Sequence, residues 1–348
     1  MLLAELRRGL SAQLLLAELR RACLGIYLAR CQTELAERLR PGGGRRRDER
    51  GACQFREQER DEMTGSFRPP AADSPGGQDA NAVYPLGSST GESSRLQRQA
   101  DELAADSAAL LDRVGLRPGQ RAIDLGCGPR GILDLLARRV SPGGRVVGLD
   151  ADPVHTAMAA EFVSDHRLSG VQIVTADARH TGLRSGSFDL VHARTLLVNV
   201  PEPAVVVAEI VRLAKPEGRV AVAEPDTEHA LCYPPHPAFD RICEIFQVAF
   251  SRNGADPAIG RRVSELFRQA GLTDIGVESR TQMYPPGSSR RTVRLDLVRS
   301  MRPHIMQLGL ADEKELDALD AAARAHIEDP RTVVMSGLLF LVWGRKPA

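Results

Sequence analysis

The stretch Arg121-Ala-Ile-Asp-Leu-Gly-Cys-Gly-Pro-Arg-Gly131 constrains the fold of this chain more than any other. An apolar run carrying an acid at Asp124 breaks into glycines at Gly126, Gly128 and Gly131. Glycines after a strand let the backbone turn sharply and bring a ligand close to main-chain amides with no Cβ in the way. Ile132 to Arg139 then reads as the helix that follows, and a strand, glycine turn and helix in that order suggest a nucleotide-like ligand at an open α/β sheet.

The sequence beyond it supports such a sheet. Strands are expected at Ala122 to Leu125, Arg145 to Leu149, Val171 to Thr175, Phe188 to Ala193 and Arg219 to Glu224, with helices near Ile132 to Val140, Pro153 to His166 and Pro203 to Ala214 between them. A helical pattern from Glu92 to Val114 precedes them. After Glu224 the alternation stops. Pro225 to Pro257 carries a helical stretch, Phe239 to Ser251; Arg261 to Ala270 reads as a helix, Ile275 to Tyr284 as a strand, Pro285 to Pro330 as a second, mostly helical insertion, and Thr332 to Trp343 as the last strand. The fold class expected is α/β: a doubly wound, seven-stranded, mostly parallel sheet, with helical insertions as a lid or wall over it.

Lys+Arg number 46 against Asp+Glu 45, a formal charge of +1, so the whole chain offers no field that would draw it to nucleic acid or an anionic membrane. The six cysteines, Cys23, Cys31, Cys53, Cys127, Cys232 and Cys243, lie far apart with no C-x-x-C pair and no Cys/His cluster at metal-ligand spacing. No metal is expected, and a reduced, cytoplasmic protein fits best. Charges interrupt the N-terminal leucines, which excludes a signal segment or a membrane span there. Residues 1 to 62 contain a short repeat, Leu2 to Arg8 and Leu15 to Arg21, and a basic tract, Pro41 to Arg47. They read either as an interaction or targeting helix or as a translated upstream segment with the natural start at Met63. Gly65 to Asn81 reads as a disordered linker. The division expected is an extension and linker over 1–80 and a domain over 81–348, with a core at 121–225 and lid insertions near 226–258 and 285–330.

A Gly-x-Gly-x-x-Gly alone would also suit a dinucleotide enzyme. Asp124 stands where that fingerprint has an apolar residue, and Pro129 removes an amide that a pyrophosphate would use. A second acid, Asp150, ends the next strand 26 residues after Asp124, with two acceptor oxygens for a ribose diol; Asp150 or Asp152 also suits the cap of the helix beginning at Pro153, and Asp152 is the better placed. Val174-Thr-Ala-Asp-Ala178 ends the third strand and Ser187-Phe-Asp-Leu-Val-His-Ala-Arg194 forms the fourth. Together these segments resemble the class I S-adenosylmethionine-dependent methyltransferases, in the ubiquinone/menaquinone-biosynthesis-like branch that acts on small molecules.

The resemblance implies S-adenosyl-L-methionine as cofactor, with Asp124, Gly126 and Gly128 at its methionine end, Asp150 on the ribose, Asp177 on the adenine amino group, the Ala178 amide on a ring nitrogen, and Arg194 near the methyl group. Upstream, Tyr84-Pro-Leu-Gly87 and Glu92-x-x-Arg95-Leu96-x-x-Gln99 resemble a segment found before the core in related enzymes. Tyr84 would cover the site, while Arg95 and Gln99, at i, i+4 on one helix face, would reach the cofactor carboxylate; an amphipathic helix exposing Arg95 explains the same residues. The acceptor implied is a small molecule, methylated on O, N, C or S. His192 and His229 are the candidate bases, with Glu224 and Asp226 also near strand ends, although His192 equally reads as a packed strand residue. A cofactor-binding regulator or cyclase-like protein on the same fold is the alternative. Arg130 stands where the family often has a small residue, and a side chain turned into the loop would meet the cofactor.

Overall fold

The computed structural model describes residues 90–348, which belong to one compact unit, 73–348; Tyr84, residues 1–62 and the linker at 65–81 lie outside the described residues. Two helices come first, α1 (Thr90–Glu102) and α2 (Ala104–Val114). The single helical pattern expected there is interrupted at Leu103, whose ψ of 5° leaves the helical range. Helix α2 turns Leu110, Leu111 and Val114 inward and ends on Gly115 in the left-handed region, whose N–H caps Leu111 O at 3.1 Å.

The core follows as β1 (Arg121–Leu125), α3 (Leu133–Val140), β2 (Arg145–Asp150), α4 (Pro153–Asp165), β3 (Val171–Thr175), β4 (Phe188–Arg194), α5 (Pro203–Leu213) and β5 (Ala214–Asp226). The first insertion holds β6 (Leu231–Tyr233) and α6 (Pro237–Arg252). After it come α7 (Val263–Gln269), β7 (Thr273–Arg280), β8 (Met283–Tyr284), the helices α8 (Val293–Ser300), α9 (Arg302–Gln307) and α10 (Glu313–Glu328), then β9 (Val333–Met335) and β10 (Leu338–Arg345).

Seven strands form one sheet in the order β3-β2-β1-β4-β5-β10-β7. All neighbours from β3 to β5 pair in parallel, and β10 pairs antiparallel with both β5 and β7. The antiparallel last strand is thus internal, and β7 forms the edge. Successive residues of the central strands feed opposite faces, as a pleated strand requires. Ile123, Val191, Val220 and Val222 join one core with Val206, Ile210 and Leu213 of α5. Ala122, Leu190, Ala221 and Ala223 join the other with Leu110, Leu133 and Leu136.

Two expected strands are each cut in two. Ile275 to Tyr284 divides into β7 and β8, and Thr332 to Trp343 into β9 and β10; β8 and β9 join β6 in a separate three-stranded sheet ordered β6-β9-β8. The cuts face each other: Ser336 N–H donates to Gln282 O at 2.9 Å, and the Thr281 hydroxyl to Ser336 O at 3.1 Å. Ser336-Gly337 is the local break, since a Cβ on Gly337 would approach Asp226 O to 2.5 Å. No helix among the described residues is long and apolar enough to cross a membrane.

Candidate functional site

The carboxyl ends of the parallel strands open toward the two insertions and the small sheet, around a cavity of about 380 Å3. Its floor is the loop after β1, where Gly126, Gly128 and Gly131 have φ of +67°, +56° and +55°. The loop is moulded on Asp124. Oδ2 accepts from Ile132 N–H at 3.0 Å, and a Cβ on Gly131 would collide with that oxygen. Oδ1 accepts from His192 Nδ1 at 2.7 Å, a bond that follows from register, because Asp124 and His192 are direct partners across β1 and β4. Asp124 lines a smaller recess of about 40 Å3 under the loop, shared with Gln99, Gly128 and Arg194.

Asp150 reaches the cavity from β2. Its Oδ2 accepts from Gly128 N–H at 2.8 Å and its Oδ1 from Asp152 N–H at 3.0 Å, so the second acid also fixes the glycine loop. Asp152 caps α4, accepting from Val154 N–H at 2.8 Å, with Pro153 in the first turn. Capping thus falls to Asp152, and Asp150 stays at the cavity wall. Asp177 also lines the cavity, but Arg179 grips both its oxygens, Oδ1 from the backbone N–H at 2.8 Å and Oδ2 from Nη2 at 2.7 Å. Those hydrogen bonds hold the Asp177 carboxyl below its ordinary range.

Gly126, Gly128, Asp150, Asp177, Ala178, Arg194, Arg95 and Gln99 all line the one cavity. Arg194 donates from Nη1 to the Ser107 hydroxyl of α2 at 2.9 Å, and burial pushes its guanidinium pKa down. Neither histidine candidate lines the cavity. His192 is fully buried on Asp124, and its Nε2 has no hydrogen-bond partner among the described residues; His229 is exposed and touches Arg261 at 3.2 Å. Glu224 is fully buried under the turn Leu197–Asn199 and accepts from the N–H groups of Leu196, Leu197 and Val198 at 2.9, 2.8 and 3.1 Å. Burial pushes its carboxyl up to about 7. Asp226 does line the cavity and is paired with Arg261.

Asp226, Glu228 and His229 come within 4.8 Å of one another, a spacing that a metal could use. Arg261 closes the cluster from within, donating to both acids and touching the histidine, so a guanidinium already supplies the positive charge. Arg130 turns away from the loop. It pairs with Asp101 at 2.6 Å and lies over the Phe162 ring at 4.9 Å. The sequence reading missed the far wall, where Arg290, Arg291 and Arg294 of the second insertion enter the same cavity. The dense run Ser289-Arg-Arg-Thr-Val-Arg294 was the available signal.

Residues 123–222 match the family model of the methyltransferase domain. It is 34% identical over 179 residues to an uncharacterized 37.1 kDa protein in a transposon of Streptomyces fradiae, covering 49% of this chain and 50% of the other. It is 39% identical over 117 residues to the nocamycin O-methyltransferase of Saccharothrix syringae, 33% of this chain and 41% of that one. A demethylmenaquinone methyltransferase of a Geobacillus strain is 27% identical over 183 residues, 49% of this chain and 78% of the relative. The chain thus spans about half the length, or less, of the first two.

Proposed function

We propose that this protein methylates a small molecule, using S-adenosyl-L-methionine, in the cavity between the carboxyl edge of the sheet and the two insertions. The observation that carries the reading is the convergence of the glycine loop, Asp150, Asp177 and Ala178 on one end of a cavity whose other end is built by the insertions. The chain fits such a cofactor. Gly128 exposes backbone where a Cβ would stand, Asp150 offers acceptor oxygens to a diol, and Asp177 with the Ala178 amide offers the acceptor and donor that an adenine edge needs. Asp124 acts from below, holding the loop and His192. Arg95, Gln99 and Arg194 supply donors for a carboxylate.

When bound, the cofactor supplies a methyl group on a sulfonium, a leaving group that needs no protonation. Both histidine candidates lie off the cavity and Asp226, which lines it, is paired with Arg261, so in this reading the chain works by holding the acceptor in line and excluding water. The catalytic unit of this reading is 81–348, its core 121–225 and its walls 226–258 and 285–330. A near-zero net charge favours a small-molecule acceptor over nucleic acid, and the dispersed cysteines, with Cys127, Cys232 and Cys243 unpaired, suit the cytoplasm.

Calorimetric titration with S-adenosylmethionine tests the reading. Binding by the full chain, weakened about tenfold or more in Asp150→Ala through loss of a charge-assisted hydrogen-bond acceptor, is expected. Equal binding by the variant, or binding of NAD in its place, would overturn it.

A further inference from the structure

Arg294 stands on the first turn of α8, on the far wall of the cavity, and is 7% exposed. Its guanidinium lies 4.1 Å from the centroid of the Phe246 ring on α6. Nη2 donates to Thr227 O at 3.1 Å, whereas Nη1 is buried and has no hydrogen-bond partner among the described residues. No carboxylate among the described residues pairs with it, and Asp226, an acid on the same wall, is engaged by Arg261. Burial pushes its pKa down, with only Cys243 and Tyr284 acting to support the charge.

Its two neighbours differ. Arg290 pairs with Glu102 at 2.8 Å, and Arg291 spends its donors on the carbonyl oxygens of Tyr284, Ile327, Asp329 and Thr332. Of the three, Arg294 alone has a terminal nitrogen with neither a hydrogen-bond partner nor a counter-charge among the described residues.

A buried guanidinium lacking a counter-ion is unfavourable, and a ring face below it offsets that only in part. A ligand anion would offset the rest. We propose that the acceptor carries a carboxylate, and that Arg294 receives that carboxylate on its guanidinium while the apolar body of the acceptor lies against Phe239, Phe250 and Leu297. One guanidinium without a counter-charge above a ring face matches a single monoanionic group; a phosphate dianion would bring a second charge to a wall where Arg290 and Arg291 are already engaged. The inference rests on the methyl-transfer reading, since it assigns the substrate class of that cavity.

The test uses ligand-observed NMR on the full chain with S-adenosylhomocysteine present, offering phenylacetate, indole-3-acetate and octanoate beside their primary amides. At least one carboxylate is expected to bind about tenfold or more tightly than its amide, as a charge-assisted hydrogen bond in a buried site would give. The preference should fall to near unity in Arg294→Gln and survive in part in Arg294→Lys, which keeps the charge. No carboxylate preference in the wild type, or an undiminished one in a folded Arg294→Gln, overturns the proposal. Titration of S-adenosylhomocysteine alone separates the two readings: if it fails to bind, the methyl-transfer reading falls, and if it binds without a carboxylate preference, only the substrate class does.

Discussion

Arg291 and Arg294 stand three residues apart, both buried and both without a carboxylate, and elementary electrostatics assigns them opposite roles. Arg291 has donors for four carbonyl oxygens, so Arg291→Met strands those oxygens and is expected to lower the unfolding free energy by about 3–5 kcal/mol. Arg294→Met removes a charge that the fold leaves open, and its midpoint in urea should equal or exceed that of the wild type. Unfolding the two variants side by side checks both. Glu224 gives a pH signature. Its carboxyl rises from 4.5 to about 7, so the folded chain holds a proton that the unfolded chain releases between those values. Unfolding free energy should therefore fall as pH rises through that window, by up to about 1.4 kcal/mol per pH unit. Urea unfolding at several pH values should show this component of the slope in the wild type and not in Glu224→Gln.

At the scale of elements, the site depends on loops pinned by acids at or near strand ends. Asp124 fixes the turn into α3, Asp150 fixes the same loop from β2, and Glu224 fixes the turn after β4. The segment after β3 is held by Glu209 of α5, which accepts from Thr181 N–H at 3.0 Å and from Arg212 Nε at 2.6 Å; these bonds hold its carboxyl down at about 2. The tightest of these loops yields a prediction. At Gly131 φ is +55° and a Cβ would displace the Asp124 carboxylate, so Gly131→Ala should destabilise the chain by about 2 kcal/mol or more in urea unfolding and weaken cofactor binding in calorimetry. Of this arrangement, the glycines and the strand-end acids were legible because each closes an apolar run. The bond between Asp124 and His192 was not, since it needs the register of two strands separated by 68 residues.

Across the whole molecule, the parallel half of the sheet was readable from alternation, because strands buried on both faces appear as continuous apolar runs. The C-terminal part misled for the same reason. Thr332 to Trp343 is nearly uninterrupted apolar sequence, and its division between two sheets depends on Gly337 meeting the end of β5 and on Ser336 meeting Gln282. Tyr284 and Val334, which pair across the small sheet, turn inward and line the cavity, so this division also shapes the wall facing the acceptor.

The sequence by itself determined the α/β class, the glycine loop, the three strand-end acids and their order, all of which follow from local spacing and the period of the strands. Only the tertiary structure decided which groups share a space. It placed His192 beneath the floor, His229 outside and Arg130 on Asp101, and it left Arg294 above Phe246 without a counter-charge among the described residues. The reason is physical: whether a charge finds a partner depends on residues distant in the chain meeting at a distance of a few ångströms, and no local pattern encodes that meeting.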